Sequence, residues 1–283
     1  MRIDSKTKLI SLLGYPVGHS KSPLMHNAEL ETLGVNAIYT AMEIEPQKLG
    51  AVVNGLKSIN NFIGANVTIP HKENVMKYVD GLTEEAKSIG AVNTLYFEDD
   101  KLIGDNTDGR GFILSLMNDS GFDPKEKEVL VLGAGGAAKA IITKLIQESV
   151  KVVNIYELNI EKSREVKKQI ENINSSTKIN LILKDELENC AKKSDLIINC
   201  TPVGLKENDP LILSENVFNE KQVVFDLIYN PEKTKLLLAA EKKGAKILNG
   251  LGMLVYQGAL SFEKWIGEKP NVENMKETIK KSM

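Results

Sequence analysis

Residues 128 to 145, EVLVLGAGGAAKAIITKL, decide how this chain folds. A short apolar strand runs directly into Gly133-Ala-Gly135-Gly136-Ala137-Ala138 and then into a pattern of helical spacing. This order is that of a dinucleotide-binding turn. Gly133 supplies the tight turn, Gly135 lets the backbone approach a pyrophosphate, and the small Ala138 allows the helix to lie close on the strand. The free N–H groups and partial positive charge of the helix N-terminus then face the phosphates. A glycine cluster alone is a weak signal; its position between a buried strand and a helix makes it informative.

The chain has 283 residues, which predicts two domains and a sizeable core. Its 36 basic and 38 acidic residues give a net charge of −2, and this balance argues against nucleic acid or an anionic membrane as partner. Small molecules are the expected ligands. Cys190 and Cys200 have neither the number nor the spacing of a disulfide framework or a zinc site, and they read as buried free thiols in a reducing compartment. No metal site is expected. Without a signal-peptide pattern or a membrane-length apolar run, cytoplasmic residence is the expectation.

Strands alternate with helices on both sides of the glycine turn. Strand patterns occupy 8–13, 37–44 and 62–70, helical patterns occupy 23–33, 46–58 and 72–79, and AVNTLYFEDDKLIGDN forms a later strand pair. Beyond Gly133 come a helix, a strand at 151–157, a charged helix from 160 to about 172, and the apolar LILK at 181–184. Further strands follow at 195–201 and 222–229, then a buried helix at 252–266. The polar stretch 171–180 reads as a loop. Such alternation argues for parallel sheet covered on both faces.

Outside the glycine turn, short polar blocks recur in a characteristic order. They are GYPVGHSKSPLMHN (14–27), GANVTIPHKE (64–73), GAVNTL (90–95), GDNTDGRGF (104–112), NCTPVGL (199–205), FDLIYNPEKTKLL (225–237) and GLGMLVYQGALSFEKW (250–265). With the glycine turn, these blocks resemble the shikimate dehydrogenase family over nearly the whole chain. The resemblance implies reversible reduction of 3-dehydroshikimate to shikimate by a nicotinamide cofactor in aromatic amino acid biosynthesis. It also implies an α/β chain of two domains. These are an N-terminal α/β substrate domain (1–104 with 251–283) and a Rossmann-type doubly wound dinucleotide-binding domain (105–250). A homodimer is a family-level expectation.

Reducing a ketone requires hydride on carbon and a proton on oxygen, so a titratable group must stand near the carbonyl. The chain has three histidines, His19, His26 and His71. The resemblance points instead to Lys72, with Asp108 as its partner. An ammonium there either donates its proton to the developing alkoxide or stabilises it electrostatically. Taken without the resemblance, Lys72 reads as a solvated lysine at a strand end. For the substrate, the resemblance assigns Ser20, Ser22 and Tyr229 to the carboxylate, and Asn66, Thr68, Asn93 and Gln257 to the ring hydroxyls. A site built to pair with hydroxyls rejects analogues that lack them. Each residue has a blander alternative: Ser20 and Ser22 flank Pro23 and suit a helix cap, Asn93 suits a turn, and Gln257 suits an exposed helix face.

The cofactor half departs from the family pattern at one place. The family grips the additional phosphate of NADP with Asn-Arg-Thr followed by Lys or Arg, whereas this chain has Glu157-Leu158-Asn159 with Lys162 retained. An acidic residue about 20 positions past the glycines is the arrangement that hydrogen-bonds the free ribose 2′-hydroxyl of NAD. NAD(H) preference is therefore expected, with NADP(H) as the family default. Leu158 is expected to cover the adenine, Thr201 and Val203 to line the cofactor cleft, and Leu227 and Gly250 to lie near the nicotinamide. NAD use leaves an NAD-dependent quinate/shikimate dehydrogenase of quinate catabolism as the alternative. A nonenzymatic NAD-binding sensor is a further alternative, opposed by the joint presence of Lys72, Asp108, Asn93 and Gln257.

Overall fold

The computed structural model describes residues 3–170, 173 and 176–283. It divides into two compact units, Met1–Thr107 with Val255–Met283, and Asp108–Leu254. These changes of unit come a few residues later in the chain than the domain limits expected at 104 and 250.

The first unit opens with β1 (Lys8–Gly14), α1 (Ser22–Thr32), β2 (Ala37–Glu43), α2 (Leu49–Leu56) and β3 (Phe62–Val67). It continues with β4 (Gly81–Leu82), α3 (Glu84–Ile89), β5 (Thr94–Glu98) and β6 (Lys101–Asp105). The strands form one sheet in the order β2-β1-β3-β5-β6-β4. Only part of it is parallel: β1 pairs in parallel with β2 and β3, but β5 runs antiparallel to both β3 and β6. The alternating pattern had predicted parallel sheet. The β5–β6 pair is joined by the two-residue turn Asp99-Asp100, both at positive φ, and a connection this short permits only antiparallel pairing. The helix expected over 72–79 contracts to a 3₁₀ turn at Asn74–Lys77.

The second unit contains α4 (Asp108–Ser120), β7 (Glu128–Leu132), α5 (Gly136–Gln147), β8 (Val152–Tyr156), α6 (Ile160–Ile170) and β9 (Lys178–Leu181). After these come α7 (Leu187–Lys193), β10 (Leu196–Asn199), β11 (Val223–Asp226), α8 (Lys235–Lys242) and β12 (Lys246–Asn249). Positions 171, 172, 174 and 175 of the expected loop lie outside the described residues, while 178–180 belong to β9. The LILK strand is thus displaced toward the N-terminus, and of its residues only Leu181 is in the strand. All six strands are parallel, in the order β12-β11-β10-β7-β8-β9. Numbered within the unit this is 3-2-1-4-5-6, the doubly wound order of a dinucleotide-binding domain.

Burial explains the apolar run of β7. Val129 and Val131 enter one core with Phe112, Ile141 and Ile142, whereas Leu130 and Leu132 enter the opposite one with Val217, Leu236 and Leu237. A strand covered on both faces must be apolar at successive positions. The chain returns to the first unit within α9 (Leu251–Ile266) and ends in α10 (Val272–Lys280). Phe262 and Trp265 of α9 complete a core with Ile10, Leu12, Leu30 and Tyr39, and the Trp265 indole N–H donates to the Leu95 carbonyl at 2.8 Å.

Candidate functional site

In the second unit the chain order reverses between β7 and β10, and in open α/β sheets ligands bind beyond the carboxyl ends of strands at this point. Gly133 follows β7 at φ +101°, and a Cβ there would press on Thr201 Cγ2 and the Cys200 carbonyl at 3.1 and 3.3 Å. The glycine turn therefore lies directly against the loop after β10. Gly135 precedes α5 with extended backbone, and its helix N-terminus has no side-chain cap. A Cβ on Gly135 or Gly136 would meet no atom of the described residues within 4 Å. Open space, uncapped N–H groups and an aligned helix dipole together fit a pyrophosphate. Ala138 is fully buried, which is what close seating of α5 on the sheet requires.

Glu157 follows β8 and turns back to this loop. Its Oε2 accepts from the Ala134 N–H at 3.1 Å and its Oε1 from the Asn159 N–H at 3.0 Å. Asn159 Oδ1 accepts from the N–H groups of Glu161 and Lys162, so this side chain caps α6. Leu158 is 86% exposed beside them, and Lys162 is exposed. Thr201 and Val203 are held by Asn199: its Oδ1 accepts from the Thr201 N–H and hydroxyl at 3.0 and 2.7 Å, and its Nδ2 donates to the Val203 carbonyl at 3.2 Å. Asn199 also donates to buried Asp226 at 3.0 Å, and Thr234 donates to the other oxygen of Asp226 at 2.7 Å. Burial pushes the Asp226 carboxyl upward, against these donors. This brace ties together the loops after β10 and β11. Leu227 and Gly250 touch, since a Cβ on Gly250 would overlap the Leu227 carbonyl oxygen. Tyr229, half-buried after β11, has its phenol pushed upward by burial. Asp108 is the first residue of α4 and is 5% exposed.

In the first unit, the candidate substrate residues gather at one end of the sheet. A single register row runs Leu12, Asn66, Thr94, Asp105, with Asn93 immediately before Thr94. Asn93 is buried, and its side-chain amide binds two donors and two acceptors. Its Oδ1 accepts from the Thr107 N–H and the Thr94 hydroxyl, both at 2.8 Å, and its Nδ2 donates to Thr107 Oγ1 at 2.9 Å and Gln257 Oε1 at 3.1 Å. Asn66 Nδ2 donates to the Asn93 carbonyl and to Ser261 Oγ, while its Oδ1 accepts from the Tyr39 hydroxyl at 2.9 Å. Asn66, Asn93 and Gln257 are thus brought into one network, and Gln257 is half-buried rather than on an exposed helix face.

Thr68 and Lys72 stand on the loop after β3. The loop is pinned by the Thr68 N–H to the Leu13 carbonyl, by the Val92 N–H to the Lys72 carbonyl, and by buried His71, whose Nε2 lies 2.7 Å from the Ile44 carbonyl oxygen. The Tyr15 N–H, donating to the Ile69 carbonyl at 3.0 Å, joins this loop to the one carrying Ser20 and Ser22. Ser20 Oγ accepts from the Ser22 N–H at 3.2 Å at the start of α1, so Ser20 does serve a helix end. Ser22 is buried and Ser20 half-buried. Tyr39, Thr94, Thr107, Ser261, Asn199 and Asp226 were not singled out from sequence. Ser261 was accessible to it, standing four positions after Gln257 on one helix face.

Cys190 and Cys200 are free and half-buried rather than fully buried. Among the described residues no cluster of His, Cys, Asp or Glu is suited to a metal ion, and no helix is long and apolar enough to cross a membrane.

Comparison with known proteins agrees with both halves. Residues 12–95 match the shikimate dehydrogenase substrate binding domain, 116–228 match shikimate / quinate 5-dehydrogenase, and 250–280 match the shikimate 5'-dehydrogenase C-terminal domain. A shikimate dehydrogenase (NADP(+)) of Methanopyrus kandleri is 41% identical over 280 residues, covering 98% of this chain and 96% of that one. A crystal structure of a shikimate dehydrogenase in complex with NADP+ superposes with a TM-score of 0.91 at 42% identity, covering 99% and 97% of the two chains. Shikimate 5-dehydrogenase of Listeria monocytogenes, in complex with shikimate and NAD, gives 0.92 at 35% identity and covers 99% and 98%. With a doubly wound sheet carrying the glycine turn, an amide and hydroxyl network in the other unit, and this agreement along nearly its full length, the chain belongs to the shikimate dehydrogenase family.

Proposed function

We propose that the chain catalyses the reversible NAD(P)H-dependent reduction of 3-dehydroshikimate to shikimate in aromatic amino acid biosynthesis. The observation that carries this reading is the network of Asn66, Asn93 and Gln257, a concentration of amides and hydroxyls suited to a small polyhydroxylated ring. Lys72 supplies the proton to the carbonyl oxygen or stabilises the developing alkoxide, and Asp108 is its partner. Ser20, Ser22 and Tyr229 hold the substrate carboxylate, and Thr68 joins Asn93 and Gln257 at the ring hydroxyls.

The cofactor is held by the turn Gly133–Ala138 together with Leu158, Thr201, Val203, Leu227 and Gly250. A bound nicotinamide supplies the hydride. Within this reading, NAD is preferred to NADP. Glu157 is committed to the backbone of the glycine turn, where its charge opposes a ribose phosphate and its second lone pairs suit a ribose hydroxyl. Initial rates with shikimate and quinate, each paired with NAD and NADP, test the whole assignment. Turnover of shikimate is expected, with higher kcat/KM for NAD. Comparable turnover of quinate, the reading that Glu157 favours second, would move the role toward quinate catabolism. Preference for NADP would overturn the Glu157 assignment. Cytoplasmic residence and a homodimer accompany the proposal from the family alone; cell fractionation and light scattering decide them.

A further inference from the structure

Ser261 is fully buried on α9, one turn beyond Gln257, and is the point where three elements meet. Its hydroxyl accepts from Asn66 Nδ2 at 3.0 Å, lies 2.7 Å from Thr94 Oγ1, and donates to the Gln257 carbonyl at 3.0 Å. It therefore connects the helix that carries Gln257 to β3 and β5.

The network also has a direction, and a backbone group sets it. The Thr107 N–H can only donate, so the Asn93 amide must turn its oxygen toward it. Asn93 Nδ2 is then left facing Gln257, which must answer with Oε1. Gln257 consequently turns its own Nε2 donor away from Asn93. On the other branch, the Asn93 carbonyl can only accept, which fixes Nδ2 of Asn66 toward it and Oδ1 toward Tyr39. Burial pushes the Tyr39 phenol upward, so it remains the donor in that pair. Both hydrogens of Asn66 Nδ2 are spent inside the protein, on the Asn93 carbonyl and Ser261, and Asn66 is 5% exposed.

We propose that Tyr39, Asn66, Thr94 and Ser261 are positioning residues that hold Asn93 and Gln257 in place while the Thr107 N–H sets the polarity of their amides, with Ser261 as the node and Asn66 bracing rather than donating to substrate. Ring-hydroxyl specificity then depends on side chains that do not touch the ring. This rests on the shikimate dehydrogenase reading above.

Ser261→Ala and Tyr39→Phe each remove one hydroxyl from this layer, and Tyr39→Phe keeps the ring that stacks on His26 at 4.4 Å. Each variant is assayed with shikimate and with shikimate analogues lacking one ring hydroxyl, alongside thermal unfolding. The expected result is a roughly ten-fold fall in kcat/KM for shikimate, carried mainly by KM, with a much smaller fall for at least one deoxy analogue. Discrimination between the two substrates then collapses, which a loss of stability alone does not produce. Unchanged discrimination in Tyr39→Phe and in whatever folded Ser261→Ala is obtained, with an active wild type, overturns this inference alone. A wild type inactive on shikimate overturns the functional reading and this inference with it.

Discussion

Two glycines two positions apart should respond to alanine in opposite ways. Gly133 stands at φ +101°, a conformation that costs a side-chain-bearing residue about 1–3 kcal/mol. Contacts at 3.1 Å with Thr201 Cγ2 and 3.3 Å with the Cys200 carbonyl add to that cost. At about 2–4 °C per kcal/mol for a chain of this size, Gly133→Ala should lower Tm by roughly 3–10 °C. Gly135 has φ −79° and ψ −176°, which alanine adopts freely, and no described atom lies within 4 Å of the added methyl. Its substitution should leave the protein as stable as before, or more stable by about 0.4–1 kcal/mol through the unfolded state. The methyl nevertheless fills the space assigned to the pyrophosphate. Losing one charge-assisted hydrogen bond there costs about 1.5–3 kcal/mol, a roughly 10- to 100-fold weaker cofactor Kd. Differential scanning fluorimetry without cofactor, and titration of reduced cofactor by its fluorescence, measure the two quantities separately. Gly135→Ala binding cofactor within two-fold of wild type would refute the assignment of this turn, and an unshifted Tm for Gly133→Ala would refute the strain estimate.

Three further outcomes are expected. Lys72→Ala should lower kcat by about 10²- to 10⁴-fold with cofactor Kd unchanged; near-normal turnover would remove Lys72 from the reaction. Glu157→Ala should raise the kcat/KM ratio of NADP to NAD by roughly ten-fold, as removal of one like charge near a phosphate implies, and an unmoved ratio would show that the cofactor is chosen elsewhere. His26 is fully buried with neither ring nitrogen in hydrogen-bond geometry among the described residues, and burial lowers its pKa from 6.5 to about 3, partly offset by the Asn66 amide. A base depressed in the folded state stabilises it fully above pH 6.5, and that contribution drains away as pH falls toward 3, at up to about 1.4 kcal/mol per pH unit. Urea unfolding between pH 7.5 and 5 should therefore show a shallower acid loss for His26→Leu than for wild type; equal slopes would contradict the burial argument.

The second unit was legible because its physics is local. Four successive apolar residues in β7, glycines directly after them and an acidic residue just after β8 each state their role within a few positions. The first unit was less so. The direction of β5 rests on a two-residue turn, and the helix α3 was missed although Thr83 caps it through the Ala86 N–H and Gly90 closes it at φ +69°. Its six residues are too few to show a helical period. At the site, Asn93 and Gln257 came from motif resemblance, but the links that tie the helix carrying Gln257 to the sheet span 150 or more positions, as in Thr107 to Gln257 and Thr94 to Ser261. No local spacing records such a pairing. Tyr39, in a strand whose neighbours are unremarkable, carried no signal at all.

The interruption of one unit by the other gives the chain an order of completion during synthesis. Asp108–Leu254 is continuous and has every strand of its sheet once Asn249 has emerged. The unit begun earlier must wait, because Phe262 and Trp265 fill its core against Ile10 and Tyr39. A nascent chain stopped before Val255 thus carries a finished nucleotide-binding half and a first unit whose core still lacks Phe262 and Trp265, and this is the stage at which a chaperone has something to hold.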